Sequence, residues 1–291
     1  MTQPRRGSSV PARALGAELK AARVTAGLTM LAAAQEIGTS EQTVRRAERG
    51  QAKLTTVTAL CELYEISREM RRTLLDLARQ TNVQGWWHAY GDVVPSWFEM
   101  YVSLEASAAR IRTFNPLLIP GLLQAPGYMH AAIHAVQPEL TSEDVSERAK
   151  VRRERQQILT RPFPDPVVLE VVIAESVLLA DLSDGVMREQ IQHLLRATEL
   201  PSVSVRILPL SVGPHRGSVA GAFTLLDFPA EKDHTPPSTI YGESETGAIY
   251  LDKPKEIDAY EEVWRALTEV TLNHADSIKM MSELSEETTR P

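Results

Sequence analysis

Across the first 80 residues the apolar positions recur at helical spacing, yet every run is cut short by a glycine or by a hydroxyl placed to cap the next one. From Ala12, the positions Leu15, Leu19, Ala22 and Arg23 trace one helix that stops at Gly27, a residue suited to a left-handed terminus. Thr29 caps a short second helix through Ala33, Ala34 and Ile37, and Gly38 lets the chain turn sharply after it. Ser40 caps a third, Glu41 to Glu48, which ends before Gly50. Thr55 caps a fourth, to Tyr64, with Val57, Leu60 and Leu63 as its apolar stripe, and Ser67 opens a fifth through Met70, Leu74, Leu77 and Ala78. The pattern predicts an all-α five-helix domain over residues 12–80.

A chain of 291 residues is long enough for a second, larger domain. It contains no apolar run of about 18 residues, the length that a membrane span needs. The start, Met1 to Ser9, is basic and polar without the apolar stretch of a secretory signal, so a cytoplasmic location is expected. Cys61 is the single cysteine, which rules out an internal disulfide or a cysteine-built zinc site and points to a buried structural thiol. The net charge of −7 is unevenly shared. Residues 1–80 hold 13 Lys+Arg against 8 Asp+Glu, a balance of +5, and residues 81–291 hold 18 against 30, a balance of −12. Only the N-terminal domain is suited to a polyanion such as double-stranded DNA.

Five short helices, the third bracketed by a Gly turn and by Glu48-Arg49-Gly50, resemble the Xre-type (phage-repressor-like) helix-turn-helix family over roughly residues 14–80. The resemblance implies a lambda-repressor-like domain whose third helix enters the major groove, where an α-helix fits and its N-terminal turns reach base edges. Glu41, Gln42, Thr43 and Arg46 are then the base-reading residues: Gln42 can pair bidentately with adenine, Arg46 with guanine, the Thr43 methyl can meet a thymine methyl, and Glu41 can accept from cytosine. Arg45, Arg49 and Lys53 are assigned to phosphates. Thr29 and Ser40 can hold phosphate oxygens or serve as caps alone. Met30 stands where the family often has a polar residue, which removes one expected phosphate contact. The resemblance also pairs Glu48 with Arg23 as a structural ion pair. The bland alternative is a helical bundle with solvated surface arginines.

After Gln80 the composition shifts to the aromatic-rich stretch Gly85 to Phe98, with three of the four tryptophans. Rings this dense usually make a packed joint. A helix is expected through Tyr101, Leu104, Ala108 and Ile111, followed by an apolar loop through Leu117 to Leu123. Strands are expected at Val167 to Ala174, Val203 to Leu208, Ala222 to Phe228, Thr239 to Glu243 and Ala248 to Leu251, with helices at Ser142 to Leu159, Val186 to Glu199 and Lys255 to Asn273. The alternation predicts an α/β domain with a mixed sheet over residues 85–282, frayed from about Glu283. The strings Trp87-x-x-Tyr90-x-Asp92-x-x-Pro95-x-Trp97-Phe98 and Asn115-Pro116-x-Leu118-Ile119-Pro120-Gly121-Leu122-Leu123-Gln124 are similar to the large C-terminal domain of WhiJ-like actinobacterial regulators. That resemblance implies a regulator that is antitoxin-like, with a small neighbour-encoded partner protein, and it implies no established chemistry.

Other features are less directive. Arg148, Lys150, Arg152, Arg153 and Arg155 form a basic run on one helix, readable as a second binding surface or as a solvated face with Asp144–Arg148 and Lys150–Glu154 as i,i+4 pairs. His130 and His134 share a helix face but lack the glutamate and third ligand of a zinc site. His215 and Arg216, in a loop between strands, can hold an anionic effector or be a plain loop. No phosphate-binding loop, nucleophile elbow or dinucleotide fingerprint is present, and an enzyme would require His215, Asp227 and Glu175 to converge. The reading is therefore a non-enzymatic regulator without metal or cofactor, forming a homodimer on an inverted repeat. The second domain binds a partner protein or effector, or else the protein is chiefly an antitoxin-like interaction protein that regulates its own expression.

Overall fold

The computed structural model describes residues 10–68, 70–72, 74–75, 78, 96–162, 164–182, 185–229, 236–244 and 247–287. The chain divides into two compact units, Met1–Ala89 and Tyr90–Pro291.

The first unit is helical: α1 Val10–Thr25, α2 Met30–Glu36, α3 Glu41–Ala47 and α4 Leu54–Leu63. The described helical positions 68, 70–72, 74–75 and 78 belong to α5. Leu15, Leu19, Val44, Ala47, Val57, Leu60 and Leu74 form its buried core, joined by the thiol of Cys61. Gly27, Gly38 and Gly50 sit at φ of 70°, 66° and 72°, so the three sharp turns fall where the sequence puts a residue without a Cβ. The cap of α4 differs from expectation. Lys53 is its N-cap, with no side-chain hydrogen bond, and Thr55 lies inside the first turn. Helices α1 and α3 meet closely at Gly16, where a methyl group would fall 2.5 Å from the Glu48 carbonyl oxygen and 2.8 Å from the Gly50 nitrogen. Met30 packs against the core, which accounts for an apolar residue after the Thr29 cap.

The second unit is built on a six-stranded mixed sheet with strands β1 Arg110–Asn115, β2 Val168–Ala174, β3 Val203–Leu208, β4 Phe223–Asp227, β5 Thr239–Ser244 and β6 Gly247–Leu251. Their order is β3-β2-β1-β4-β5-β6. Strands β1 to β3 are mutually parallel, while β1 with β4, β4 with β5 and β5 with β6 are antiparallel. The strand absent from the sequence reading is β1, at the junction of the two patterns. The helix expected to run through Ile111 ends earlier, as α6 Ser96–Ser107. Ile111 and Phe114 are then buried on a strand whose Arg112 is also buried, its charge met by Glu261 at 2.5 Å and Asp227 at 2.9 Å.

Helices α7 Pro126–Val136, α8 Ser142–Gln156, α9 Glu175–Leu178, α10 Val186–Ala197, α11 Gly217–Ala220, α12 Pro254–Val270 and α13 His274–Glu287 complete the unit. The long helix expected to Asn273 stops at Val270, and Asn273 caps α13 by accepting from the Asp276 amide at 2.9 Å. Residues 283–287, expected to be frayed, lie within α13, and residues 288–291 lie outside the described residues. One sheet face, with Phe114, Val172, Phe223, Leu225 and Ile240, packs on Trp264 and Leu267 of α12. On the other, Thr113 and Thr224 share a hydrogen bond of 3.0 Å and Tyr241 stacks on Tyr101 of α6 at 4.1 Å. The apolar loop after β1 is core: Ile119, Leu122 and Leu123 are buried, and Leu117 is exposed. The tryptophan-rich stretch lies, through residue 95, outside the described residues.

Candidate nucleic-acid interface

Helix α3 is positioned by what it buries. Val44 and Ala47 enter the core, which turns Gln42, Arg45, Arg46 and Arg49 outward and leaves Glu41 and Thr43 half-exposed. The Ser40 hydroxyl accepts from the Thr43 amide at 3.2 Å and shares a hydrogen bond of 2.9 Å with the Thr43 hydroxyl. At the preceding helix, the Thr29 hydroxyl accepts from the Ala32 amide at 3.1 Å. Both caps remain exposed, as does Lys53. Glu41 and Arg45, separate contacts in the sequence reading, hold each other at 2.6 Å. An exposed i,i+4 pair contributes only about 0.3–0.5 kcal/mol, so a phosphate can take Arg45 from its acid at little cost. Among the described residues no acid pairs with Arg46, Arg49 or Lys53.

Behind this face the Arg23 guanidinium joins three segments. It donates through Nε and Nη2 to the two oxygens of Glu48, at the end of α3, and through Nη1 to the Leu28 carbonyl at 2.7 Å, in the turn between α1 and α2. The two side chains are only 10% and 5% exposed. The hydrogen bonds to Glu48 outweigh burial and raise the Arg23 pKa. One buried contact thus fixes the turn and the end of α3 together.

Tyr64, beneath the same pair, was not singled out by the sequence. It is buried, its hydroxyl has no hydrogen-bond partner among the described residues, and burial, with the field of Glu48 adding and that of Arg23 opposing, pushes its pKa up to about 12. Burial raises Tyr101, Tyr241 and Tyr250 of the second unit in the same direction. Above about pH 10 the unfolded tyrosines ionise while the folded ones keep their protons. The native state then binds more protons, and stability falls as pH rises. For Tyr64 the loss spans about pH 10 to about 12. Urea midpoints on either side of pH 10 should show it, with a smaller loss in Tyr64→Phe; equal midpoints would exclude it.

In the second unit the remaining candidates separate. His215 packs its ring edge-on against Phe114 at 5.8 Å with Nδ1 buried and unpartnered among the described residues, while Arg216 is exposed. Glu175 follows β2 and accepts from the Leu210 amide at 2.7 Å. Asp227 pairs across the sheet with Arg110, at the opposite end of the strands from Glu175, and holds Arg112 and Ser238. The three residues an enzyme would require do not come together. His130 and His134 are exposed on α7, and no metal-binding group of three His, Cys, Asp or Glu occurs among the described residues. No helix among the described residues is long and apolar enough to cross a membrane.

Comparison with protein families finds two matches, a helix-turn-helix domain over residues 14–74 and a domain of unknown function, DUF5753, over residues 98–283. Comparisons with curated proteins and with solved structures find no match. The helix-turn-helix match runs from within α1 into α5, including the whole of α3 and its Arg23–Glu48 support, and the second match runs from α6 into α13. On the extent of that second match, the chain belongs to the DUF5753 family and carries a helix-turn-helix domain ahead of the family's own domain.

Proposed function

We propose that the protein is a sequence-specific, DNA-binding transcriptional regulator of the Xre, WhiJ-like type, working in the cytoplasm as a homodimer on an inverted repeat. The observation that carries this is the outward face of α3. Gln42 and Arg46 stand exposed, and unpaired among the described residues, on a helix whose other side is locked into the core and into the Arg23–Glu48 pair. Gln42, Thr43 and Arg46 read bases, joined by Glu41, while Arg45, Arg49 and Lys53, with the Thr29 and Ser40 hydroxyls, hold phosphates. One short helix reads only a few base pairs, and two-fold symmetry doubles the reading, with half-sites about 34 Å apart. The acidic second unit is unsuited to DNA and receives the signal, either a small effector or, in the antitoxin-like form of this reading, a small partner protein.

Salt tests the electrostatic half of this proposal. With Arg45, Arg49 and Lys53 of both protomers on phosphates, log K should fall against log[salt] with a slope of about −5. Fluorescence anisotropy on promoter fragments from the protein's own locus measures it. Binding indifferent to salt would contradict the assignment.

A further inference from the structure

The five basic residues of α8 divide by environment. Lys150 and Arg153 are exposed. Arg155 is buried and meets both oxygens of Glu105, at 2.7 and 2.8 Å. Arg148 and Arg152 lie between these extremes, half-buried and one turn apart. Their hydrogen-bond partners are neutral: Arg148 Nη1 donates to Gln137 Oε1, and Arg152 Nη1 donates to Gln124 Oε1 at 2.7 Å. The Nε of Arg148 is buried with no hydrogen-bond partner among the described residues.

The acids that the sequence offers these two arginines are engaged elsewhere. Asp144 closes a capping box with Thr141, accepting from its amide at 3.2 Å and its hydroxyl at 2.6 Å. Glu147 holds Lys150, and Glu154 accepts from Gln157 at 2.7 Å. Glu243 lies within electrostatic reach of Arg152 but takes the Tyr241 hydroxyl at 3.0 Å. Burial, then the neighbouring charges of Arg155 and Arg148, lower Arg152 to about 10, which leaves it a cation at neutral pH.

Half-buried cations with neutral partners and like charges beside them lower stability. Here they are also held in place. Gln124 is fixed by donating to the Ile119 carbonyl at 2.7 Å. Its backbone is clamped by Gln156, which donates to the Gln124 carbonyl at 2.8 Å and the Gly121 carbonyl at 3.2 Å. Gln190 secures the same loop from α10, donating to the Leu123 carbonyl and accepting from the Ala125 amide, each at 2.7 Å. The result is a pair of oriented guanidinium groups with no ion-pair partner among the described residues, Asp144 and Glu243 acting on them only through space, and the planar fork of such groups matches the oxygens of phosphate or carboxylate.

We propose that Arg148 and Arg152 form a binding site for the phosphate or carboxylate group of a small ligand, set on α8 and steadied by Gln124 and Gln137. The site needs no DNA, so its test is independent of the regulator reading. Thermal melts of the full-length protein, with inorganic phosphate or succinate titrated against sodium chloride at constant ionic strength, should show a saturable rise in melting temperature with at least one of the two probes. The probe that acts identifies the oxyanion. Arg148→Gln and Arg152→Gln should weaken that response about tenfold or more, while Arg153→Gln on the exposed face keeps it. Without either probe, Arg152→Gln should melt no lower than the parent protein, because it removes a repelled cation and leaves a neutral side chain beside Gln124. Calorimetric titration of the parent protein provides a reading that does not depend on the variants. The proposal is overturned if neither probe gives a saturable response in the parent protein, if the glutamine variants respond as it does, or if Arg152→Gln melts lower without a probe.

Discussion

Glu48→Ala is expected to cost the helix-turn-helix unit about 3–5 kcal/mol, which is most of the stability a small domain possesses. The reason lies in what remains. Arg23 is 10% exposed on its side chain, and without Glu48 its guanidinium would keep only the Leu28 carbonyl as partner. A cation cannot be left nearly dry without a counter-charge, so the end of α1 would open, releasing the turn to α2 and the end of α3 that it holds. Pairing Arg23→Met with Glu48→Leu should restore much of the loss, since an apolar pair of similar volume escapes the desolvation penalty. Thermal melts followed by circular dichroism separate the cases. An unchanged midpoint in Glu48→Ala would show that the pair is not structural.

Arg155→Met should be as damaging in the second unit, with a loss of about 3–5 kcal/mol. Its side chain is 7% exposed and that of Glu105 only 1%. Arg155 also lies over the rings of Phe98 and Tyr101, at 5.0 and 5.3 Å, and thereby ties α8 to α6. Methionine fills much of the space and makes no hydrogen bond to the carboxylate. The damage should have a side: the opposite face of the sheet has its own tie, Arg112 to Glu261 of α12. Hydrogen exchange of Arg155→Met should therefore quicken in α6 and α8 before α12. A variant that melts like the parent protein, or loosens first at α12, would contradict this.

The helical unit is legible in sequence because its signals are local: glycines at positive φ, hydroxyls one residue before a helix, and apolar residues at helical spacing. Where two local rules competed the cap fell two residues from the expected one, as at Thr55, whose capping hydroxyl lost to Lys53 before a start at Leu54. The sheet is partly legible because Val168–Ala174 and Val203–Leu208 are rich in β-branched residues. Strand β1 was hidden, since Tyr101, Leu104, Ala108 and Ile111 continue a helical spacing across the boundary at Ser107 and Arg110 and Arg112 look solvent-facing. The signal that could have found it is the alternation Arg110-Ile111-Arg112-Thr113-Phe114, with a buried charge neutralised by residues more than a hundred positions away. The same distance limit hid the arginine site of α8. Its neighbouring acids are visible in sequence, but the commitment of Asp144 to Thr141, Glu147 to Lys150 and Glu154 to Gln157, and the approach of Gln124, exist only in three dimensions.

The central claim is that the outward face of α3 reads DNA sequence, and the direct measurement is fluorescence anisotropy of the full-length protein on promoter fragments from its own locus. Gln42→Ala and Arg46→Ala, first shown to be folded, are compared with the parent protein on the preferred fragment and on copies carrying single base changes. Each variant should bind about five- to a hundredfold more weakly and lose discrimination at the base its side chain reads, following the roughly 1–3 kcal/mol of a good bidentate contact. Parent and variants binding every fragment alike, or not binding at all, would contradict it.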